Sequence, residues 1–114
     1  MINPISAPLA GLQVFTGKLQ NTANNIANSN TDSYKTKQAA IVENSVGLPS
    51  LNITVDNLPG PRVQESDGLI RETSNADLSR EIPSMVVAKR GYEANLKVLE
   101  THCDMLKSLL DVTA

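Results

Sequence analysis

Apolar residues recur every seven positions near both ends of this chain, and this spacing constrains its fold more than any other feature. Towards the C-terminus the recurring residues are Leu78, Met85, Tyr92, Leu99 and Leu106. Towards the N-terminus they are Ile5, Leu12, Leu19 and Ile26. A seven-residue repeat places its members on one face of an α-helix, as in a coiled coil. We therefore predict two long, apolar-striped helices over residues 5–27 and 78–111.

Further residues border each stripe or begin the helix that carries it. Those beside the second stripe include Leu96, Cys103 and Leu110, and Phe15 borders the first. Cys103 is predicted to be a small core residue, because a reactive thiolate needs a basic partner. Asp77 or Ser79 is suited to cap the second helix. Because proline beyond the first turn removes a backbone hydrogen bond, either this helix begins near Ile82 or, as we favour, a separate first turn meets it at a kink at Pro83.

The residues between the two predicted helices favour turns and short strands. Asn28 to Ser33 are turn and cap formers, which end the first helix. Alternating or β-prone residues predict short strands over residues 38–43, 51–55, 62–65 and 69–71. Residues 66–69 predict a hairpin turn between the last two strands.

The chain length suits one domain with three regions. Residues 1–35 form the N-terminal helix and an Asn-rich motif, 36–74 a loop and short β region, and 75–114 the C-terminal helix. The predicted fold class is mainly α, with the two long helices pairing as a coiled-coil-like antiparallel hairpin or bundle and a small β-hairpin element in the middle.

The reactive side chains argue against an enzyme. The sequence has one His and one Cys, and it lacks a Gly-x-Ser-x-Gly motif, a Gly-rich phosphate loop and a paired-carboxylate motif. His102, Cys103 and Asp104 are adjacent, so their side chains diverge on a helix and cannot share a metal ion. We expect no catalytic, cofactor-binding or metal-binding residues.

Charge and hydropathy also exclude two classes of partner. Ten basic and 12 acidic residues are interspersed and give a net charge of -2, without the basic patch of a nucleic-acid-binding protein. No run of 18 apolar residues occurs, which excludes a membrane span. We therefore expect neither nucleic acid binding nor direct membrane insertion.

Two stretches are more distinctive than the stripes. Residues 23–35 read Ala-Asn-Asn-Ile-Ala-Asn-Ser-Asn-Thr-Asp-Ser-Tyr-Lys. A polar helix end explains Asn28 but not Asn24 and Asn25, since Asn is unfavourable within a helix. Residues 75–106 contain Asn-Ala-Asp-Leu, then Arg-Gly-Tyr-Glu-Ala-Asn and finally Met-Leu.

Together these stretches resemble the axial proteins of the bacterial flagellum, the rod and hook family. The first resembles the signature Asn-Asn-(Ile/Leu)-Ala-Asn-x-x-Thr-x-Gly-Tyr-Lys, and the second resembles Asn-Val-(Asp/Asn)-Leu…Met…Arg-x-Tyr-Glu-Ala-Asn…Met-Leu. Ser33 stands where the signature has Gly, and a Ser is strained there if the position needs a positive φ. The short middle region is most like that of the small proximal-rod members.

The resemblance implies a structural subunit of the flagellar basal-body rod. Such subunits leave the cytoplasm unfolded through the flagellar type III export apparatus, without a cleaved signal peptide, and the N-terminus here lacks the features of one. In the periplasm they assemble into a torque-transmitting shaft. The implied partners are copies of itself, other flagellar rod proteins and the export apparatus. The alternative is a soluble helical adaptor, or an export chaperone or regulator of the flagellar system.

We expect the helices to pair antiparallel, with the stripe from Ile5 to Ile26 facing the stripe from Met85 to Leu106. Four asparagines are expected to fix the register, as buried Asn does in coiled coils: Asn24, Asn25, Asn28 and Asn95. The residues predicted to carry helix packing or assembly are Ile5, Leu12, Phe15, Leu19, Asn24, Asn25, Ile26, Asn28, Tyr34, Leu78, Met85, Tyr92, Asn95, Leu96, Leu99, Cys103, Leu106 and Leu110.

Overall fold

A computed structural model describes residues 3–114 and confirms a mainly α fold with a small β region. Its helices are α1 (Ser6–Ala27) and α2 (Leu78–Thr113). Its strands are β1 (Lys37–Glu43), β2 (Pro49–Val55), β3 (Arg62–Gln64) and β4 (Ile70–Glu72). Residues 1 and 2, where the predicted N-terminal region begins, lie outside the described residues.

The β region contains two separate antiparallel hairpins, β1–β2 and β3–β4. Both close through the same kind of turn. The N–H of Asn44 donates to the carbonyl of Leu48 at 2.9 Å, and the N–H of Glu65 donates to that of Leu69 at 2.9 Å. Each turn contains a glycine with a positive φ, 78° at Gly47 and 85° at the corresponding glycine of the second hairpin. The predicted strands are thus confirmed, and glycine relieves the strain of both turns.

An acidic side chain caps α2, as predicted. The carboxylate of Asp77 accepts hydrogen bonds from the N–H and the hydroxyl of Ser79, at 2.9 and 2.5 Å. These bonds, led by the one from the hydroxyl, lower the pKa of Asp77. The helix continues past Pro83, although proline removes one backbone hydrogen bond. The first turn is therefore part of one continuous helix and not a separate element.

The two helices lie side by side and antiparallel. Gly11 lies against Asn95, and the ring of Phe15 lies against Gly91, so position numbers rise along α1 as they fall along α2. At about 1.5 Å per residue, α1 spans about 33 Å and α2 about 54 Å. The molecule is accordingly elongated, 79 by 26 by 14 Å. Within residues 3–114, neither helix has a stretch apolar enough to span a membrane.

The interior of the described chain is small and largely polar. Its buried apolar residues are Val14 and Ala88. Its buried polar residues are Asn21, Thr22, Asn25, Thr36 and Ser74. Since apolar burial contributes about 25 cal/mol per Å², these two side chains alone gain little, and partly buried side chains such as Phe15 and Leu19 add to the term. The fold of one copy therefore depends on its buried hydrogen bonds together with this partial burial.

Candidate assembly interface

Small and polar residues are the most deeply buried ones on α1, which packs against both α2 and the β1–β2 hairpin. The buried residues of α1 are Pro8, Gly11, Val14, Asn21, Thr22 and Asn25. The buried residue of α2 is Ala88. Two glycines also lie in the helix contact, and a side chain of the opposite helix covers each of them: Asn95 covers Gly11, and Phe15 covers Gly91. Glycine allows two backbones to approach closely, because it has no Cβ. Close approach at the glycines thus adds to the contacts of the partly buried apolar side chains in holding the helix pair.

The predicted facing of the two apolar stripes is wrong in register. It would place Ile5 opposite Leu106, but Gly11 already lies against Asn95. Leu106 is therefore beyond the start of α1, and it is 47% exposed. The physical reason is side-chain size, because helices pack at a distance set by the residues at their contact. Glycines at the contact allow a closer approach than a seam of leucines.

Asn25 connects the end of α1 to the chain that follows it. Its side chain is 1% exposed and accepts hydrogen bonds at Oδ1 from the Tyr34 hydroxyl and the Lys37 N–H, both at 3.0 Å. Its Nδ2 donates to the Lys37 carbonyl at 2.8 Å, and Asn21 donates to the same carbonyl at 2.6 Å. Burial, followed by the charge of Glu81, raises the pKa of Tyr34, which keeps its hydroxyl a donor. This network explains an Asn within the helix.

The end of α1 is closed by its own polar side chains. The Asn28 Nδ2 donates to the Asn24 carbonyl at 2.8 Å, and the Thr31 hydroxyl donates to Asn28 Oδ1 at 3.1 Å. Ser33 follows with a φ of 55°, in the left-handed region. Its N–H donates to the Glu72 carbonyl at 3.0 Å, which ties this turn to β4. The positive φ on which the expected strain at Ser33 depends is thus present.

Of the four asparagines expected to fix the helix register, only Asn95 lies between the helices. The amides of Asn25 and Asn28 serve the connection after α1, and Asn24 is exposed, so the expectation is corrected for these three. Asn95 packs over Gly11 while its Nδ2 donates to the carbonyl of its own helix one turn earlier, at 2.8 Å. Its contact with α1 is therefore one of packing.

Replacing Ser33 with Gly should stabilise the protein. A non-glycine residue in the left-handed region costs about 1–2 kcal/mol, and the extra flexibility of Gly in the unfolded chain offsets roughly half of that gain. We expect the free energy of unfolding to rise by about 0.5–1 kcal/mol. Urea unfolding followed by circular dichroism measures it. Ser33→Ala is the control, because it keeps the Cβ; an equal gain from both variants would show that φ is not the cause.

A second polar junction holds the start of α2 against the β region. Asn75 accepts from the Thr36 N–H at 2.7 Å and donates to the carbonyls of Asp56 and Leu58 at 3.0 and 2.9 Å. Beside it, the carboxylate of Glu72 pairs with the ammonium of Lys35. The chain segments before α2 and after α1 are thereby joined by side-chain hydrogen bonds.

Glu72 should make stability depend on pH in the acid range. The hydrogen bond from Lys35 is the largest cause that lowers the pKa of Glu72 below its usual value of 4.5, followed by the bond from the Gly60 N–H. The folded-state pKa is below the unfolded one. The contribution of this carboxylate is thus complete above about pH 4.5 and is lost as the pH falls through the folded pKa.

Urea unfolding at a series of pH values tests this dependence. The Glu72→Gln variant should lose less stability on acidification than the unsubstituted protein. Glu93→Gln removes an exposed carboxylate on α2, 3.9 Å from Lys89, and should leave the pH dependence unchanged. Identical pH profiles for Glu72→Gln and the unsubstituted protein would contradict the prediction.

The last turns of α2 present an apolar surface that α1 does not cover. We call this surface, residues 101–113, the free end of α2. Its exposed large apolar residues are Met105, Leu106, Leu109, Leu110 and Val112, from 47% to 82% exposed. Cys103 is exposed as well, so its predicted place in the core is wrong. The reason is that α1 begins at Ser6, opposite about residue 100 of α2.

The residues predicted for packing or assembly fall into groups by exposure. Those partly buried along the helix pair are Ile5, Leu12, Phe15, Leu19, Ile26, Met85, Tyr92, Asn95 and Leu99. Those at the end of α1 are Asn25, which is buried, and Asn28 and Tyr34, which are partly buried. Those exposed are Asn24, Leu78, Leu96, Cys103, Leu106 and Leu110.

The pattern of apolar residues missed several positions that hold the fold together. These are Gly11, Asn21, Lys37, Asn75 and Gly91. The two glycines carried a usable signal, since a Gly inside a helix often marks a close approach. Lys37 carried none, because it takes part through its backbone, which every residue type possesses.

Part of the chain matches a known family. Residues 68–112 match the family described as flagellar basal body rod FlgEFG protein C-terminal. This stretch begins in the turn of the second hairpin and includes α2 up to its last residues. It therefore contains both the helix that pairs with α1 and the free end of α2.

Known relatives belong to the flagellar hook. The flagellar hook proteins FlgE of Escherichia coli and Salmonella typhimurium are each 39% identical over 41 residues, and that of Helicobacter pylori is 42% identical over 41 residues. The matched stretch covers 36% of this chain, 10% of the first two proteins and 6% of the third. The family match and these relatives support the flagellar rod and hook family and confirm the resemblance, and the residues that the family match covers include the second of the two sequence motifs.

Proposed function

We propose that this protein is a structural subunit of the flagellar basal-body rod and assembles through its terminal helices into the torque-transmitting shaft. A structural role in the basal body agrees with the family matched by residues 68–112. Its partners would be further copies of itself and other rod proteins. Its location would be the periplasmic part of the basal body, reached through the flagellar export apparatus.

The free end of α2 is the observation that supports this proposal most. Five large apolar side chains lie there within about two helical turns, and each is at least 47% exposed. Contiguous apolar surface of this kind marks sites of protein association. Because the free end extends along the helix axis past the start of α1, a partner bound there lengthens the structure. That geometry suits an axial assembly.

The polar junctions support the same function in a different way. Asn25 binds the start of β1 to α1, and Asn75, which lies just before α2, binds the residues on either side of the β1–β2 hairpin. Such directional contacts fix the positions of the segments they join. A shaft subunit needs a defined shape and contacts that repeat without closing into a ring.

Charged substitutions at the free end test the proposal. We expect Leu106→Asp together with Leu110→Asp to remove the protein from purified basal bodies and to abolish swimming, since Asp cannot be buried unpaired in an apolar contact. Leu58→Asp is the matched control, because Leu58 is 68% exposed but lies in the β region. Circular dichroism should report an unchanged helix content for all variants.

Two results would contradict the rod function. One is normal swimming by cells that carry the doubly substituted protein. The other is the absence of the unsubstituted protein from purified basal bodies, together with a small stable oligomer in solution. The second result would instead favour an adaptor or export chaperone.

A further inference from the structure

A basic pocket lies where α1, α2 and β1 meet. It has a volume of about 180 Å³, and its charged lining residues are Lys18, Lys37, Arg80 and Glu81. The lining thus carries a net charge of +2, although the chain as a whole carries -2. Thr22, which is 2% exposed, lines the pocket between these side chains.

Lys18, Lys37 and Arg80 form no ion pair shorter than 4 Å in the described part of the chain, although the charge of Arg80 acts on the nearby Asp77. The ion pairs among residues 3–114 involve other lysines and Arg71. Lys18, Lys37 and Arg80 line this one pocket although they belong to three different elements, so the fold gives the pocket an excess of positive charge. A cluster of this kind attracts an anionic group, and a carboxylate accepts charge-assisted hydrogen bonds from Lys and Arg.

The carboxylate of Asp104, near the far end of α2, is a candidate to bind the basic pocket. It lines a shallow apolar depression on the free end of α2, together with Met105 and Leu109, and it forms no ion pair within residues 3–114. Asp104 and Arg80 lie on the same helix, about 36 Å apart at its rise per residue. Asp104 therefore cannot reach the basic pocket of its own chain, and only a second copy can bring it there.

We propose that the basic pocket of one copy binds Asp104 on the free end of α2 of a second copy. This inference rests on the proposed function and names a subunit contact within it. The contact is head-to-tail, so its repetition produces an open chain of subunits rather than a closed dimer. Val87 lies on the same helix face as Ser84 at the pocket edge and is 60% exposed, so it offers an apolar neighbour to the residues around Asp104.

Cross-linking of the purified protein tests the contact directly. Gln38 lines the basic pocket, and Cys103 is an exposed native thiol beside Asp104. We expect Gln38→Cys, treated with a short bismaleimide, to give a ladder of dimers and higher species on a denaturing gel. Ser66→Cys places an exposed thiol outside the pocket and should give none. The absence of a ladder from Gln38→Cys, or an equal ladder from Ser66→Cys, would overturn the proposal.

Charge reversal in the Gln38→Cys background tests the role of the ion pair. Arg80→Asp should lower the cross-linked yield by about 3- to 10-fold, and Asp104→Arg in the same chain should restore it. Arg90→Asp, outside the pocket, should leave the yield unchanged. An unaffected yield in Arg80→Asp, or no recovery in the double reversal, would contradict the proposal.

The outcomes also separate this contact from the rod function. Incorporation into basal bodies is measured on cells and does not depend on the cross-link. A protein present in basal bodies whose Gln38→Cys variant forms no ladder would disprove the Asp104 contact alone. A protein that forms the ladder but is absent from basal bodies would disprove the rod function alone.

Discussion

Replacing Asn25 with Ala should lower the free energy of unfolding by about 3 kcal/mol. The substitution leaves the N–H of Lys37 and the hydroxyl of Tyr34 without their acceptor, and the Lys37 carbonyl keeps only its bond from Asn21. Each unsatisfied buried group costs about 1–3 kcal/mol, and the loss of one shared partner affects two donors at once. Urea unfolding followed by circular dichroism measures the change.

Asn24 provides a matched control one position away. It is exposed, and its side chain makes no hydrogen bond within the described residues, so Asn24→Ala should change the free energy of unfolding by less than about 0.5 kcal/mol. Ala favours the helix slightly over Asn, which makes even a small gain consistent with the prediction. Equal losses from the two variants would mean that helix propensity, and not the Asn25 network, is being measured.

Replacing Gly91 with Val should destabilise the helix pair by about 2–3 kcal/mol. A Cβ at position 91 would overlap the ring of Phe15, so the added side chain forces the helices apart or displaces the ring. The higher helix propensity of non-glycine residues offsets roughly 0.5 kcal/mol of this loss. Thermal unfolding should show a lower midpoint, and assembly that needs the paired helices should weaken with it.

Two further variants isolate the close approach as the cause. Ala94→Val adds two methyl groups at an exposed position of the same helix and should cost less than about 0.5 kcal/mol. Phe15→Ala in the Gly91→Val background frees the space that the ring occupies, so the two losses should be less than additive. Strictly additive losses would contradict a direct contact between the two residues.

The extent of the helices could be predicted from the sequence, but the face through which they pair could not. Residues 5–27 and 78–111 were expected to be helical, and Ser6–Ala27 and Leu78–Thr113 are. A seven-residue repeat identifies a helix and an apolar face, but it does not say which molecule covers that face. Here the fully buried residues of α1 are small or polar, most of the stripe residues are only partly buried, and Leu78 and Leu106 are exposed.

The Asn-rich motif was informative to different degrees at different positions. Ser33 could be interpreted correctly, because a positive φ constrains the residue type itself. The role of Asn25 could not be predicted, because its side chain binds the backbone of Lys37, and any residue type at position 37 would supply the same backbone groups. The same limitation applies to Asn75, which binds the backbone of Thr36, Asp56 and Leu58.

The small polar interior has a consequence for heat capacity. Exposure of apolar surface raises the heat capacity on unfolding, whereas exposure of polar surface lowers it. A single copy with few fully buried apolar side chains should thus have a flatter stability curve with temperature than a domain of its length with a large apolar core. Burial of the free end of α2 in an assembly removes apolar surface from water and gives a negative heat-capacity change. The calorimetric signature of a hydrophobic core would therefore belong to the polymer and not to the subunit.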